Sequence, residues 1–280
     1  MKISINSQRT YTYDEKDPKY SGNSTKVFIA YDEYFDRKVI LKEIDFSSVG
    51  HDALTHIRSE VVALSKAGGF CSNVPVVLDY WTDEEKKRFY IVMQLIPGDS
   101  LRSKLMTASR TDFHRWMMNL SDTLISLHKS HIVHKDIKPE NIIITNTKQL
   151  YLIDFNISIN EANLIEGTEF YKAPEMGHEG ITISREQSDI FSVGVMMYEF
   201  YTGNLPKEGV DYGTKRFTLD RNNWSYFKEP IELNPNIPPK LNDIIKTCME
   251  RSPQKRYRRA SDLKNALKSV TGEISKWRSQ

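Results

Sequence analysis

The stretch HIVHKDIKPENIIIT, residues 131–145, constrains this chain more than any other part of its sequence. The isoleucines at 142–144 are typical of a buried strand. Immediately before them stand Lys135, Asp136, Lys138 and Asn141. The stretch therefore places a carboxylate, two amines and an amide at fixed spacing beside a buried strand, and any functional interpretation must explain that combination.

The composition is that of an ordinary folded protein. With 280 residues, the chain can bury a large core as one domain or as two lobes. Apolar residues make up 39% and charged residues 27%, which is typical of a soluble globular protein. Because the formal net charge is only +2, no global field recruits nucleic acid or an anionic membrane, and we expect neither as a partner.

The cysteines and the hydropathy pattern indicate a cytoplasmic protein. Cys71 and Cys248 lie far apart and have no metal-ligand spacing, so a reducing setting is expected. No apolar run approaches the roughly 18 residues that predict a membrane span. The first residues, MKISINSQRTYTYDEK, are too polar for a secretory signal.

The first third of the chain has the pattern of a small antiparallel sheet. Runs of β-branched and aromatic residues separated by polar turns predict strands at 27–32, 38–44, 74–81 and 88–96. One helix is predicted over residues 51–67, and the pair Gly68-Gly69 is expected to end it. Residues 1–96 should therefore form a strand-rich lobe of about five strands with one main helix.

Helices dominate after Pro97-Gly98, which we interpret as a connector. Apolar spacing predicts helices at 111–130, 186–202, 240–250 and 260–270, and TGEISKWRSQ, after Val270, is polar enough for a tail. The expected fold class is α+β, with a small lobe over residues 1–96 and a larger, mostly helical lobe over 97–280. A cleft at such a junction would suit a small ligand.

Five motifs, in order, resemble the catalytic domain of eukaryotic-type (Hanks-type) serine/threonine protein kinases. HKDIKPEN at 134–141 is similar to the catalytic loop H-R-D-L-x-x-x-N, and YLIDFN at 151–156 to the D-F-G element. GTEFYKAPE at 167–175 resembles the end of the activation segment, SDIFSVGV at 188–195 the central helix, and VILK at 39–42 the V-A-I-K strand. The resemblance runs from about residue 12 to about residue 270, and the compact layout is more similar to bacterial or viral members than to animal ones.

The resemblance implies a single bilobal catalytic domain that transfers the γ-phosphate of Mg-ATP to a protein serine or threonine. By resemblance, Asp136 is the catalytic base and Lys138 neutralises the moving phosphate. Thr168, together with Lys138, is typical of serine/threonine-specific members. A protein substrate is thus the implied partner.

The resemblance also assigns the groups that would hold the nucleotide and its metal. Asn141 and Asp154 would bind Mg²⁺ through oxygen atoms. Lys42 would contact the α- and β-phosphates, and Glu60 would pair with Lys42. The residues implied around the adenine and the phosphates are Gly22, Val27, Ile40 and Ile143, with Met93 at the back of the pocket and the backbone of Gln94 and Ile96 at the adenine edge.

Other positions have structural roles by resemblance. Glu175 and Arg256 would form a buried ion pair that braces the activation segment. Asp189 would accept hydrogen bonds from the catalytic-loop backbone. The residues expected in a hydrophobic column are His134, Phe155, Leu64 and Leu78.

The sequence departs from the family pattern at four places. Only Gly22 remains of the glycine-rich loop, whose glycines let backbone amides approach phosphates closely. Ile40 replaces an alanine above the adenine, which predicts a tighter pocket. Asn156 replaces the glycine of D-F-G, and asparagine tolerates left-handed backbone angles.

The fourth departure is Lys135 in place of arginine. In the family that arginine often binds a phosphate on the activation segment, and lysine is a poorer bidentate partner. The segment is short, and Ser158 is its one hydroxyl outside the motif, while Glu161 and Glu166 could pair with Lys135. We expect a kinase that does not need activation-segment phosphorylation.

Alternatives remain open at the level of sequence. Singly, each motif residue has an ordinary structural interpretation, such as a solvated lysine or a turn-forming aspartate. A pseudokinase that binds or scaffolds is favoured by the degenerate glycine loop and Ile40. A small-molecule kinase is disfavoured by the 167–175 segment, which resembles a peptide-docking platform. Ser100 weakly disfavours a strict preference for arginine before the target, and the oligomeric state is undetermined.

Overall fold

The structure is a computed structural model that describes residues 1–6, 9–22, 24–47, 51–155, 171–176, 186–206 and 227–277. For residues 4–6, 51–53, 56, 59 and 60 the backbone alone is described. The described residues up to Pro97 form one compact unit, and those from Gly98 onward form a second. The fold is of the predicted α+β class, with a strand-rich first unit and a mainly helical second unit.

The first unit is built on an antiparallel sheet of seven strands in the order β1-β2-β4-β5-β7-β6, with β3 paired to β4. Its helix, α1, spans His51–Phe70. The strands are β1 Lys2–Asn6, β2 Arg9–Tyr13, β3 Tyr20–Ser21, β4 Thr25–Asp32, β5 Arg37–Asp45, β6 Val77–Asp83 and β7 Arg88–Gln94.

The two faces of this sheet differ because side chains alternate along each strand. Tyr13, Phe28 and Leu41 share one face and are buried in an aromatic-rich core. In that core the Tyr13 and Phe28 rings lie 4.8 Å apart. The opposite face carries Val27 directly across from Lys42 and Ile40 across from Met93. The register therefore places these four predicted nucleotide-binding residues on one face.

The second unit packs helices around a small sheet of order β10-β9-β8. Helix α4 is buried over most of its surface, as its nearly all-round apolar sequence predicts. The elements are β8 Asp99–Ser100, α2 Leu101–Lys104, α3 Arg110–Lys129, β9 Ile142–Ile144, β10 Leu150–Leu152, α4 Glu186–Thr202, α5 Pro230–Leu233, α6 Pro239–Cys248 and α7 Ala260–Lys276.

The expectation that Gly68-Gly69 end the first helix is wrong, because α1 continues to Phe70. Two glycines in a helix cost roughly 1 kcal/mol each. Packing explains at least the first of them, since a Cβ atom at Gly68 would lie 3.2 Å from the Cα of Val76. Ala67 is fully buried, and the backbone N–H of Cys71 donates to its carbonyl. The close contact between Gly68 and Val76, just before β6, thus explains why a glycine is needed here and why the helix continues past it.

The structure has more helix and strand near the two ends of the chain than the sequence predicted. The segment after Val270 is not a tail, because α7 runs to Lys276, Ile274 is buried, and the Trp277 ring stacks on Tyr201. At the other end, β1 and β2 were not predicted. Tyr11 and Tyr13 alternate with threonine and point into the core, so a period-two signal was present in RTYTY.

Candidate active site

The loop between α3 and β9 is fixed by one buried carboxylate on α4. The Asp189 side chain accepts hydrogen bonds from the backbone N–H groups of His134, at 3.0 Å, and Lys135, at 2.9 Å. It also contacts His128 Nε2 at 2.8 Å. Burial alone would raise the pKa of Asp189, but these hydrogen bonds hold that pKa below its ordinary value. The predicted contact of Asp189 with the catalytic-loop backbone is confirmed.

His134 is a structural residue inside this loop. Its Nε2 lies 3.0 Å from the carbonyl oxygen of Ile153, which can only accept, so Nε2 carries the proton. Its Nδ1 accepts the backbone N–H of Asp136 at 3.3 Å. Burial lowers the pKa of His134, which keeps the ring neutral. The ring packs against Phe155 with centroids 4.6 Å apart, as expected for part of the column.

The predicted catalytic residue Lys138 and the predicted metal ligand Asn141 converge on one carboxylate oxygen of Asp136. Lys138 Nζ lies 2.9 Å from Asp136 Oδ2, and Asn141 Nδ2 donates to the same oxygen at 2.9 Å. Asn141 Nδ2 also donates to the Asp136 backbone carbonyl at 2.8 Å. Among the described residues, the Oδ1 atom of Asp136 accepts no hydrogen bond. The carboxylate is thus oriented by two neighbours and keeps one oxygen for a further donor.

The predicted metal ligands lie at the same end of the β9–β10 hairpin. Asn141 directly precedes β9, Asp154 follows β10, and the backbone N–H of Ile153 donates to the Asn141 carbonyl at 2.8 Å. Asp154 is exposed and has a left-handed backbone, with φ of 56°. Both described bonds of the Asn141 amide use Nδ2, so its Oδ1 is the atom suited to a cation.

This donor set fits Mg²⁺, which typically takes one or two carboxylates and completes its shell with water and phosphate oxygens. Nowhere in the described ranges do three or more His, Cys, Asp or Glu side chains form a group that could hold a metal ion.

The first unit carries the predicted phosphate- and adenine-binding residues. Lys42 is buried on β5, and Met93 lies on β7 across from Ile40. The backbone N–H of Gln94 donates to the Val76 carbonyl, whereas that of Ile96 has no partner among the described residues. Glu60 lies on α1, but its side chain is outside the described part, so its pairing with Lys42 stays a prediction.

Gly22, the one glycine left in the predicted phosphate loop, forms part of a hairpin. The backbone N–H of Gly22 donates to the Thr25 carbonyl at 2.8 Å, and Tyr20 on β3 pairs with Val27 on β4. A hairpin therefore forms here with one glycine in place of three. In the second unit, Ile143 is half-buried on β9. The predictions for Thr168 and Asn156 fall outside the described residues.

The end of the activation segment is held by Arg256. Its two terminal nitrogens contact the two Glu175 oxygens at 2.7 and 2.8 Å, which confirms the predicted pair. The same guanidinium donates to the backbone carbonyls of Gln187, Glu250 and Arg251. Burial alone would raise the pKa of Glu175, but the bonds to Arg256 hold it below its ordinary value.

A second polar cluster, which the sequence analysis did not identify, lies in the same unit. Arg102 donates to Glu140 at 2.7 Å, to Glu199 at 2.6 Å and to the Tyr171 hydroxyl at 2.5 Å. The Tyr171 hydroxyl in turn donates to Glu199 at 2.5 Å. Glu140 belongs to the HKDIKPEN motif and Tyr171 to the GTEFYKAPE motif, so both were visible, but nothing in the sequence joins them to Arg102.

None of the helices in the described ranges combines the length and the apolar character that crossing a membrane would require.

Among curated proteins, serine/threonine-protein kinase PknL of Mycobacterium tuberculosis (strain H37Rv) is 29% identical over 269 residues, which are 91% of this chain and 64% of the relative. Serine/threonine-protein kinase PrkC of Bacillus subtilis is 27% identical over 267 residues, covering 89% of this chain and 39% of the relative. PknA of M. tuberculosis (strain H37Ra), also named a serine/threonine-protein kinase, is 29% identical over 270 residues, covering 89% and 59%.

The chain spans less than two thirds of the length of each of these relatives. All three are bacterial proteins named as kinases, and their names give no support to the pseudokinase alternative. The family model described as the protein kinase domain matches residues 20–268. That range contains all five motifs and every predicted site residue, and the chain therefore belongs to the protein kinase domain family.

Proposed function

We propose that this chain is an active serine/threonine protein kinase domain, with residues 1–96 as its nucleotide-binding lobe and 97–280 as its catalytic lobe. The observation that carries the proposal is the orientation of Asp136, whose Oδ2 is bound by Lys138 and Asn141 while Oδ1 accepts no hydrogen bond from any described residue. Phosphoryl transfer depends on positioning and charge neutralisation more than on covalent catalysis, and this loop supplies both.

In this proposal the substrate hydroxyl donates to Asp136 Oδ1, and its proton passes to that carboxylate as the hydroxyl oxygen bonds to the γ-phosphorus. The bond from that phosphorus to the β,γ-bridging oxygen breaks in the same transfer, and ADP leaves with its electron pair. Lys138 balances charge on the transferred group. Asn141 and Asp154 would hold Mg²⁺, which when bound would supply charge neutralisation for the phosphates.

The nucleotide would bind on the face of the first unit that carries Val27, Ile40, Lys42 and Met93. The N–H of Ile96, which has no hydrogen-bond partner in the described ranges, and the carbonyl of Gln94 suit the adenine edge, and Gly22 suits the phosphates. Ile143 would contribute to the adenine site, and Glu60 would pair with Lys42. Thr168 would act beside Asp136. We further propose a cytoplasmic setting and a protein substrate.

The test is transfer of radiolabelled phosphate from Mg-ATP to a generic protein substrate. Asp136→Asn should lower the rate by about 10²–10⁴-fold, because the base is lost while the side chain keeps its shape. ATP binding should be retained, because Asp136 does not contact the nucleotide in this proposal. Asp122→Asn, which removes a surface carboxylate paired with Lys264, is the matched control and should leave the rate unchanged.

Failure of the unaltered protein to transfer phosphate, despite measurable ATP binding, would support the pseudokinase alternative instead. The degenerate loop around Gly22 and the bulky Ile40 would then be the first positions to restore to the family pattern.

A further inference from the structure

The cluster of Arg102, Glu140, Glu199 and Tyr171, here called the Arg102 cluster, lies beside the catalytic loop. Glu140 stands in the short 3-10 turn Pro139–Asn141, between Lys138 and Asn141. Tyr171 lies four positions before Glu175, in the segment that resembles a peptide-docking platform. Glu199 comes from α4 and Arg102 from α2. Its position suits contact with substrate residues close to the acceptor hydroxyl.

The charges of the cluster do not cancel. It holds two carboxylates, one guanidinium and the hydroxyl of Tyr171. Burial, and then the hydrogen bond to Glu199, raise the pKa of Tyr171, so this hydroxyl stays protonated. The Glu140 side chain is 47% exposed, against 15% for Glu199 and 36% for Arg102. The site is therefore acidic and open to solvent on the Glu140 side.

Two carboxylates beside a peptide-docking segment are what a basic substrate side chain would bind. Here the chain supplies that side chain itself. The three guanidinium nitrogens of Arg102 are each used, Nε toward Glu140, Nη1 toward Glu199 and Nη2 toward Tyr171. A planar guanidinium saturates such a pair more fully than a lysine could, because its donors have a fixed fork geometry.

We infer that Arg102 determines substrate specificity by occupying, from within the chain, the acidic site that would otherwise bind an arginine of the peptide substrate. This inference rests on the proposed kinase function and names its substrate class: peptides whose recognition needs no basic residue at that site. When Arg102 is absent, Glu199 keeps its bond from Tyr171, and Glu140 is the carboxylate left to bind a cation.

The experiment compares peptide pairs that are identical except for arginine or alanine at each position near the acceptor. The unaltered protein should phosphorylate both members with similar kcat/KM. Arg102→Met, which keeps the length but not the charge, should favour the arginine peptide by about tenfold or more at one position, because a charge-assisted hydrogen bond to Glu140 forms. Adding Glu140→Gln to that variant should abolish the preference.

Arg115→Met is the matched control, because it removes a surface arginine from an ion pair with Asp112 that lies outside the cluster. It should leave the peptide ratio unchanged. An unchanged ratio in Arg102→Met, with transfer to both peptides retained, would overturn the inference and leave the kinase function intact.

Peptide binding measured by fluorescence anisotropy gives a second readout that needs no turnover. If the unaltered protein transfers no phosphate, the proposed function fails, yet tighter binding of the arginine peptide by Arg102→Met would still support the inference, and equal binding would refute it. Should Arg102→Met not fold, Arg102→Lys is measured instead. A lysine cannot bond both carboxylates in the same way, so a smaller gain in the same direction is expected.

Discussion

At the scale of single residues, the backbone and the side chain of Lys135 have different consequences. Its backbone N–H donates to Asp189 at 2.9 Å, so the residue helps to hold the catalytic loop whatever its side chain binds. An arginine at this position would be suited to bidentate contact with a phosphate, whereas a lysine acts as a point charge. Within the described residues, the loop backbone is thus anchored through Asp189 of α4.

Ser158→Ala should leave the rate of phosphate transfer within about twofold of the unaltered protein, because Lys135 is a poor phosphate ligand and the loop is anchored through Asp189. Initial rates before and after phosphatase treatment would test this expectation. A phosphate found on Ser158 whose removal lowers the rate by about tenfold or more would contradict it.

Residues that lie close together in the sequence are the easiest to recognise as one candidate site, and their catalytic roles stay a prediction. Asp136, Lys138 and Asn141 lie within six positions, and their contacts follow from one short loop. Arg102 was missed because it lies in none of the five motifs, so the resemblance gave it no role. Its partners lie 38, 69 and 97 positions away, but distance alone was not the obstacle, since the Glu175–Arg256 pair, 81 positions apart, was predicted.

At the scale of elements, the end of α7 is the clearest difference between prediction and structure. Leu263, Leu267, Val270 and Ile274 continue one buried stripe at spacings of three and four residues. Ile274, the last residue of that stripe, was missed because most residues between Val270 and Trp277 are polar. Beyond it, the Trp277 ring lies between Tyr201, 5.7 Å away, and the guanidinium of Arg110, 4.3 Å away.

Ile274→Ala should lower the free energy of unfolding by about 2–5 kcal/mol, the cost typical of removing a large buried aliphatic side chain. Urea denaturation would measure the change. Lys268→Ala, at an exposed position on the same helix, is the control and should change stability by less than about 0.5 kcal/mol. A cost for Ile274→Ala no larger than that of the control would show that the last turn of α7 is not packed.

Elements with strong periodicity were predicted well for a physical reason. Helix α4 was predicted with the observed bounds because its apolar residues surround the whole helix. Strand β6 begins three residues later than predicted, and β1 and β2 were missed. The short segments β1 and β2 carry too few apolar residues for composition to reveal them, although Tyr11 on β2 is fully buried in the sheet.

At the scale of the whole molecule, buried titratable groups couple stability to pH. Burial lowers the pKa of His114 from its ordinary 6.5, so below that pH the unfolded chain binds a proton that the folded chain resists. The pKa of Glu175 is also lowered, from 4.5, so its contribution is present above that value and is lost as pH falls through the folded pKa. Both groups therefore make stability fall with acidification, in two separate windows.

The urea concentration at the unfolding midpoint should decrease as the pH is lowered from about 7.5 to 5.5, and decrease again below about pH 4.5. The reason is that the unfolded chain takes up protons in each of these two ranges. His114→Gln should reduce the first decrease, whereas His131→Asn, at an exposed position, should not. A midpoint that stays constant from about pH 7.5 to 5.5 would contradict the first step.

Arg256 has a consequence for which substitutions the molecule can accept. Its guanidinium makes five hydrogen bonds, two to Glu175 and one each to the carbonyls of Gln187, Glu250 and Arg251, and it lies 4.8 Å from the Phe191 ring centre. A lysine has three donors on one atom and cannot reproduce this planar set. Replacing Arg256 would therefore remove, in a single step, the side-chain hydrogen bonds that join Glu175, Gln187 and the pair Glu250–Arg251.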